Sequence, residues 1–205
     1  MPEFSTPGVQ PVHQRLRAWR AGRLLVDTCR AHLYFPDDRH PRWAVPTDDL
    51  LLPTPGALTC DGLVVLSPDD ADIWVEEDRQ TYGAPRNPYH RIDTLPSSRH
   101  VQILVDQTVV AETDRPVLLI ETGVPPRWYV PPGDVVWAQL EPVPARTACQ
   151  YKGEASYFRV RNSDVRLWAY RHPDPEAAAI AGHVAAAGEN PGVHITVDGT
   201  PERQP

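Results

Sequence analysis

The chain has 205 residues, of which 41% are hydrophobic and six are Trp, so it is long enough to bury a sizeable core. Its formal net charge is −7 and it contains no block of basic residues, which argues against nucleic acid as a partner. No apolar run approaches the roughly 20 residues that a membrane span needs, and the first residues contain no signal-peptide core. We therefore predict a cytoplasmic protein that binds neither nucleic acid nor a membrane. The 24 Pro indicate short strands and many fixed turns rather than long helices.

The metal-ligating and redox-active residues are scattered along the chain. Its three cysteines, Cys29, Cys60 and Cys149, form no CxxC pair, and the eight His contain no HExxH motif. We therefore expect no cofactor and no metal. Lys152 is the only lysine, since the other basic residues are all Arg. A general replacement of Lys by Arg explains the many arginines but leaves Lys152 unexplained. Lysine and arginine are not interchangeable where a titratable or nucleophilic amine is needed.

An internal repeat becomes visible when the chain is aligned with itself so that residue 24 falls on residue 109. This repeat alignment places "LLVDT" at 24–28 over "VVAET" at 109–113, and "PRW" at 41–43 over "PRW" at 126–128. It continues without a gap to "DLL" at 49–51, which falls on "DVV" at 134–136. A match of this length at a constant offset indicates an internal duplication.

The predicted elements are short strands. From residue 101, "VQILVDQTVVAET" predicts a hairpin, and "PVLLIET" and "RWYVP" predict further strands. "EASYFRVR" and "SDVRLWAY" alternate polar and apolar residues and predict an antiparallel pair. "DPEAAAIAGHVAAAG" then predicts one short helix, and "GVHITVDG" a last strand. The fold class is therefore all-β, mainly antiparallel, with one short C-terminal helix.

The two copies differ after residue 51, where the first is abbreviated. It continues without a lysine and without the aromatic hairpin that follows Cys149 in the second. We predict an abbreviated N-terminal lobe at 14–78, a polar connector at 79–97, a complete lobe at 98–199 and a disordered tail at 200–205.

These motifs resemble the bacterial DUF427 family. The resemblance rests on "SSRHVQILVDQTVVAETDRPVLLIETGVPPRWYVPPGDV", "CQYKGEASYFRV", "WAYRHPDP" and "VDG", and it covers the second lobe almost entirely. It implies a β-tent-like fold of the kind seen in methionine sulfoxide reductase B and Mss4-like proteins. An old family label suggests nucleotidyl transfer, but the sequence contains no acidic metal-binding pattern or glycine-rich phosphate loop.

The sequence also departs from the family pattern. The usual Cys-Pro-Tyr-Lys-Gly stands here as Cys149-Gln150-Tyr151-Lys152-Gly153, and "WAYRHPDP" is longer than the family motif by Arg171 and His172. An aromatic pair expected after the helix is missing. These changes suggest a divergent pocket and a specialised substrate.

The repeat provides an internal control for choosing site residues. Residues that both lobes share are taken as structural. Residues that only the complete lobe contains are candidates for a catalytic or binding role. By that criterion the catalytic candidates are Lys152, Glu121, which aligns with Pro36, and Tyr129, which aligns with Ala44. Lys152 could be a Schiff-base nucleophile, a general base or an electrostatic anchor, and Glu121 an acid or base. The alternative is a structural ion pair of Glu121 with Lys152 or with Arg127.

Several neighbours are predicted to bind the ligand: Arg127, Tyr151, Tyr157, Trp168 and Tyr170. Alternation along the strand places Arg127 and Tyr129 on one face and Trp128 on the other. Cys149 is expected to be a buried structural thiol. His90 and His100 are weaker candidates, for which capping or hydrogen-bonding roles are expected, and His172 is a candidate only because it belongs to the lengthened motif.

Two functions fit these residues. The first is a cofactor-independent enzyme of lyase, isomerase or cyclase type, acting on a small polar or carbonyl-containing metabolite. The second is a module that binds a metabolite or a peptide without turnover. Because one fold can support both, the choice depends on the site.

Overall fold

The computed structural model describes residues 8–36 and 40–202. The chain divides into two compact units, residues 1–88 and 89–205, and each is described by itself. In the described residues no helix is both long enough and apolar enough to cross a membrane.

The first unit consists of two antiparallel sheets. The strands are β1 (Val9–Pro11), β2 (Leu16–Arg20), β3 (Arg23–Thr28), β4 (His32–Tyr34), β5 (Arg42–Pro46), β6 (Thr59–Cys60), β7 (Leu63–Leu66), β8 (Ile73–Glu76) and β9 (Arg79–Thr81). One sheet has the order β1-β4-β5-β7-β6 and the other β3-β2-β8-β9. Short 3-10 helices cover Thr47–Asp49 and Pro68–Asp70.

The second unit consists of three antiparallel sheets. The strands are β10 (Ile92–Pro96), β11 (Val101–Val105), β12 (Thr108–Thr113), β13 (Val117–Glu121), β14 (Val124–Tyr129), β15 (Leu140–Cys149), β16 (Gly153–Val160), β17 (Arg166–Tyr170), β18 (Val184–Ala185), β19 (Val193–Val197) and β20 (Thr200–Pro201). The sheet orders are β10-β13-β14, β12-β11-β19-β20 and β15-β16-β17-β18. The 3-10 helices cover Pro132–Asp134, Trp137–Gln139 and Pro175–Ile180.

The all-β, antiparallel fold class is confirmed. The hairpin β11–β12 turns at Asp106 and Gln107, both of which have positive φ (47° and 67°) as a tight two-residue turn requires. Strands β16 and β17 pair as predicted, with Tyr157 opposite Trp168.

The predicted helix near the C-terminus is present as a six-residue 3-10 helix, Pro175–Ile180, and is shorter than its sequence pattern. Gly182, with φ of 70°, follows it, and Val184 then pairs through both backbone groups with Val130 at 2.8 Å. Pairing with a neighbouring strand therefore overrides the helix propensity of the alanines.

The duplication is reproduced in the structure. Leu16 falls on Val101 in the repeat alignment, and β2 and β3 match β11 and β12 end for end. Both hairpins also contain a shift in the register of strand pairing at the same place. It lies between Ala18 and Trp19 in the first unit and between Ile103 and Leu104 in the second.

A polar brace recurs at matching places in the two units. In the first unit the Thr28 hydroxyl donates to Asp49 at 2.6 Å, and Arg30 Nε donates to the same carboxylate at 3.2 Å. In the second unit Thr113 and Arg115 donate to Asp134 at 2.7 and 3.0 Å. The hydrogen bonds from arginine, followed by those from threonine, lower the pKa of Asp49 and of Asp134.

The segment predicted as a polar connector, residues 79–97, supplies strands to both units. β9 pairs with β8 in the first unit, and β10 pairs with β13 in the second. The pairing of β10 with β13 repeats that of β1 with β4, because Val9↔Tyr34 falls on Thr94↔Leu119 in the repeat alignment. β1, β9 and β10 are sheet-edge strands with much exposed surface, so their sequences lack a clear apolar alternation.

Residues 200 and 201, assigned from sequence to a disordered tail, pair with β19 as β20, and residues 203–205 lie outside the described part of the chain.

The first unit lacks a stretch of chain that the second contains. Glu76 pairs with Leu16 as Val197 pairs with Val101, so β8 takes the place of β19. The chain between Val101 and Val197 is longer than the chain between Leu16 and Glu76, and the added part contains β15, β16 and β17. Lys152 lies within this insertion.

The second unit has two hydrophobic clusters. The larger contains Trp128, Phe158 and Leu167. The smaller, which we call the aromatic cluster, lies on the opposite faces of β13, β14, β16 and β17. Its buried members are Val117, Leu119, Tyr129, Ala155, Tyr170, Ala177, Ile180 and Ala185, and Ile92, Cys149, Tyr157 and Trp168 pack against it.

We predict that Thr113→Val lowers the free energy of unfolding by about 1 kcal/mol, because it removes a buried hydroxyl that donates to Asp134 and accepts from the Arg115 amide at 3.1 Å. Thr28→Val should have a similar effect, since Thr28 makes the same contacts. Urea denaturation monitored by tryptophan fluorescence measures both. Thr108→Val, at an exposed position of β12, is the control. Equal denaturation midpoints for Thr108→Val and Thr113→Val would show that the hydrogen bonds of Thr113 do not stabilise the fold.

Candidate functional site

Glu121 is an acidic residue in an apolar row. Alternation along β13 turns Val117, Leu119 and Glu121 to the same face, and these residues are 6%, 1% and 7% exposed. A carboxylate that is removed from water in this way needs hydrogen-bonding partners, because its desolvation costs several kcal/mol, by order of magnitude.

Lys152 is the first partner of Glu121. It lies in the turn between β15 and β16, is 8% exposed, and its ammonium donates to Oε2 of Glu121. Its backbone is held on both sides, since its amide donates to the Cys149 carbonyl at 3.3 Å and its carbonyl accepts from the Asp174 amide at 3.2 Å. The turn therefore fixes where the amine lies.

Gly153 allows this turn to form. Its φ is +89°, and a Cβ built on it would lie 3.4 Å from the carbonyl oxygen of His172 and 3.6 Å from the amide nitrogen of Asp174. Both the conformation and the close approach of the "HPDP" segment favour glycine. The motifs "YKG" and "HPDP", distant in sequence, thus pack together.

His90 is the second partner of Glu121. Its Nε2 lies 3.1 Å from Oε1 of Glu121, and its ring stacks on Tyr151 with the centroids 3.8 Å apart and the planes at 11°. The histidine is brought there by β10, because Ile92 lies directly opposite Glu121. Each oxygen of the carboxylate therefore has its own nitrogen partner.

Tyr129 and Tyr170 lie in the aromatic cluster beside this group. Tyr129 is 1% exposed, and its hydroxyl accepts a hydrogen bond from Trp168 Nε1 at 3.1 Å. Lys152 Nζ lies 5.9 Å from the ring centroid of Tyr170. Burial raises the pKa of both tyrosines above the ordinary value of 10.0. Both hydroxyls therefore keep their protons at neutral pH.

Tyr157 and Arg127 lie further from the carboxylate. The Tyr157 hydroxyl is 2.7 Å from Thr147 Oγ1, near the exposed strand β15. Arg127 shares a sheet face with Tyr129, as predicted, since it lies opposite Leu119. Its guanidinium pairs with Glu189 and not with Glu121.

The structure thus brings together most of the residues chosen from sequence. Glu121 and Lys152 are in contact, Tyr151 joins them through His90, and Trp168 links Tyr129 to the strand that carries Tyr170. His90, a weaker candidate from sequence, contacts Glu121 directly. This contact depends on the register of β10 on β13, which the sequence does not show.

The remaining sequence candidates have other surroundings. Cys149 is partly buried against the aromatic cluster, and His100 is exposed with its Nε2 2.9 Å from Glu112 Oε1. The carbonyl oxygen of His172 lies near Gly153. Within the described residues, no group of three His, Cys, Asp or Glu side chains is arranged to hold a metal ion.

One known protein family matches the part of the chain that contains Glu121 and Lys152. The family described as a domain of unknown function, DUF427, matches residues 93–199. The chain belongs to the DUF427 family. The matched range contains Glu121, Lys152 and the aromatic cluster, and it begins just after His90. A search of curated proteins found no match.

We predict that Lys152→Met destabilises this DUF427 protein by about 3 kcal/mol, because it leaves the Glu121 carboxylate buried beside His90 alone. The double variant Lys152→Met/Glu121→Leu should regain a large part of that loss, since an apolar pair suits the apolar row. Chemical denaturation of the two variants measures the difference.

The control for this pair is Arg159→Met, which breaks the exposed pair of Arg159 with Glu141 in the same unit and should change stability much less. Equal destabilisation by Lys152→Met and Arg159→Met would show that the burial of the Lys152 pair has no energetic consequence.

We also predict that Tyr129 and Tyr170 resist ionisation while the chain is folded. Their pKa values are raised in the folded state, so they contribute stability below the unfolded value of about 10 that is lost as the pH rises above it. Absorbance at 295 nm at pH 11 should therefore show fewer ionised tyrosines in the folded protein than in guanidinium.

Substitution of both tyrosines by Phe should reduce this difference by two of the seven tyrosines. A folded double variant that retains the full difference would mean that other tyrosines are the protected ones.

Proposed function

We propose that this protein is a cofactor-independent enzyme that moves a proton on a small polar or carbonyl-containing metabolite, as lyases, isomerases and cyclases do. The observation that carries the proposal is the buried Glu121 carboxylate, which holds Lys152 on one oxygen and His90 on the other beside the aromatic cluster. Three titratable groups in contact, away from water, form the kind of arrangement that acid–base catalysis uses.

The ion pair favours an electrostatic role for Lys152 over a nucleophilic one. An amine that donates to a carboxylate is engaged as an ammonium, and an ammonium has no lone pair with which to form a Schiff base. A fixed positive charge can stabilise negative charge that develops on a carbonyl oxygen when a neighbouring C–H bond is deprotonated.

The hydroxyl of Tyr129 is suited to donate a hydrogen bond to the ligand. Its oxygen already accepts from Trp168, so the hydroxyl proton can be directed at an oxygen of the ligand. Because burial raises its pKa, the hydroxyl remains protonated where the enzyme would act. Tyr151, Tyr157 and Tyr170 would provide aromatic surface around the ligand.

The alternative is a module that binds a metabolite or a peptide without turnover. A buried ion pair is an inefficient way to stabilise a fold, since apolar residues of similar volume often serve as well. The pair of Lys152 with Glu121 therefore favours a role in chemistry, while the same polar groups could also anchor a ligand that does not react.

Hydrogen exchange into simple carbonyl compounds tests the proposal. The full-length protein is incubated in D₂O with pyruvate, oxaloacetate, acetoacetate or dihydroxyacetone, and deuterium at the α-carbon is followed by proton NMR. We expect exchange in at least one compound to be faster than in buffer without protein, and Glu121→Gln to reduce this excess rate at least ~100-fold, because acid–base groups contribute at least this much. Lys152→Met should also reduce it, through the loss of charge stabilisation.

Arg159→Met is the matched control and should leave the exchange rate unchanged, since its exposed pair lies outside the aromatic cluster. A compound that binds, by ligand-observed NMR, but does not exchange would favour the binding module. Exchange that is equal in the wild type and the Glu121→Gln variant would remove this carboxylate from the mechanism.

A further inference from the structure

His90 occupies a place in this group that the sequence alone did not assign. Both oxygens of Glu121 are occupied, Oε2 by the Lys152 ammonium and Oε1 by the imidazole of His90. A carboxylate that accepts a hydrogen bond at each oxygen is poorly placed to take a further proton from a ligand. The imidazole has a second nitrogen that the carboxylate does not use.

We infer that His90 is the residue that exchanges a proton with the ligand, through Nδ1, and that Glu121 is the positioning residue that orients it. The inference rests on the proposed function and names the acid–base group within it. Glu121, chosen from sequence as a catalytic acid or base, then acts through another side chain.

The tautomer of the ring follows from the contact with Glu121. An ionised carboxylate can only accept hydrogen bonds, so Nε2, at 3.1 Å from Oε1, must carry the hydrogen. In the neutral imidazole the lone pair then lies on Nδ1. The contact with Glu121 uses Nε2 alone, so Nδ1 is the ring nitrogen that is left to contact a ligand.

Two contacts fix the orientation of the ring. The hydrogen bond to Glu121 sets the direction of Nε2, and the stack on Tyr151, with the planes at 11°, sets the plane. The side chain of His90 is 13% exposed, so the ring is largely sheltered from water. A base held in this way is pre-oriented for proton transfer, as the histidine of a catalytic triad is by its carboxylate.

The step balances without an oxidant or a reductant. Nδ1 takes a proton from a C–H bond next to the carbonyl group, and the electron pair of that bond stays on the ligand as an enolate. The imidazolium is stabilised by the Glu121 carboxylate, and the enolate oxygen by the Lys152 ammonium and the Tyr129 hydroxyl. Return of the proton from Nδ1, at the same or a neighbouring carbon, regenerates the neutral ring.

The tautomer is tested first, by long-range proton–nitrogen correlation NMR on the ¹⁵N-labelled full-length protein, with His90 assigned by the signals missing in His90→Gln. We expect Nε2 protonated and Nδ1 unprotonated in the neutral ring. In Glu121→Leu, whose amide spectrum reports whether it is folded, we expect a mixture of both tautomers. A wild-type ring with the hydrogen on Nδ1 would overturn the inference without any activity being measured.

The exchange assay then separates His90 from the proposed function. We expect His90→Gln to slow deuterium incorporation at least ~100-fold, as loss of a general base does. His100→Gln is the matched control, because His100 also places Nε2 beside a glutamate, Glu112 at 2.9 Å, but on an exposed surface. It should exchange at the wild-type rate.

The two hypotheses fail in different ways. Normal exchange in His90→Gln, with exchange lost in Glu121→Gln, would overturn the role of His90 and leave the proposed function standing. No exchange above the protein-free rate in any wild-type sample would count against the proposed function. A hydrogen on Nδ1 of the neutral wild-type ring would instead overturn the inference about His90, whatever the exchange assay shows.

Discussion

The carboxylate of Glu121 holds together three parts of the second unit that are distant in sequence. It ends strand β13, receives the ammonium from the turn between β15 and β16, and receives the imidazole from the segment before β10. Because the carboxylate is buried in an otherwise apolar row, these bonds are required to offset its desolvation. The same requirement fixes the lysine and the histidine in space, so one electrostatic constraint positions the whole candidate site.

The duplication explains where this site lies in the fold. Both units contain the paired strands, the irregular pairing and the Thr–Arg–Asp brace at matching places in the repeat alignment. The second unit adds β15, β16 and β17 between matched strands. Glu121 and Tyr129 belong to the shared framework, but Pro36 and Ala44 stand at their places in the first unit. The candidate site lies where Glu121 and Tyr129, on the framework that both units share, meet strands that the first unit lacks.

Burial gives the site its chemical character. The aromatic cluster excludes water from the tyrosine hydroxyls, which raises the pKa of Tyr129 and of Tyr170, and it leaves Lys152 and Glu121 with each other as charged partners. Arg127, which lies on the same sheet face, is neutralised by Glu189 instead. Arg127 and Lys152 are thus balanced by separate carboxylates, Glu189 and Glu121.

The sequence by itself determined the antiparallel β class and the repeat, and it singled out Glu121, Lys152 and Tyr129 as candidate site residues. Strand alternation and the constant repeat offset are local, periodic signals, and the substitution of Ala44 by Tyr129 could be read directly from them. Only the tertiary structure decided that Glu121 contacts Lys152 and His90, because those contacts depend on the register of β10 on β13 and on a turn held by Gly153. A short edge strand has no strong sequence pattern, since much of its surface faces solvent and its pairing is made by the backbone, which every residue shares.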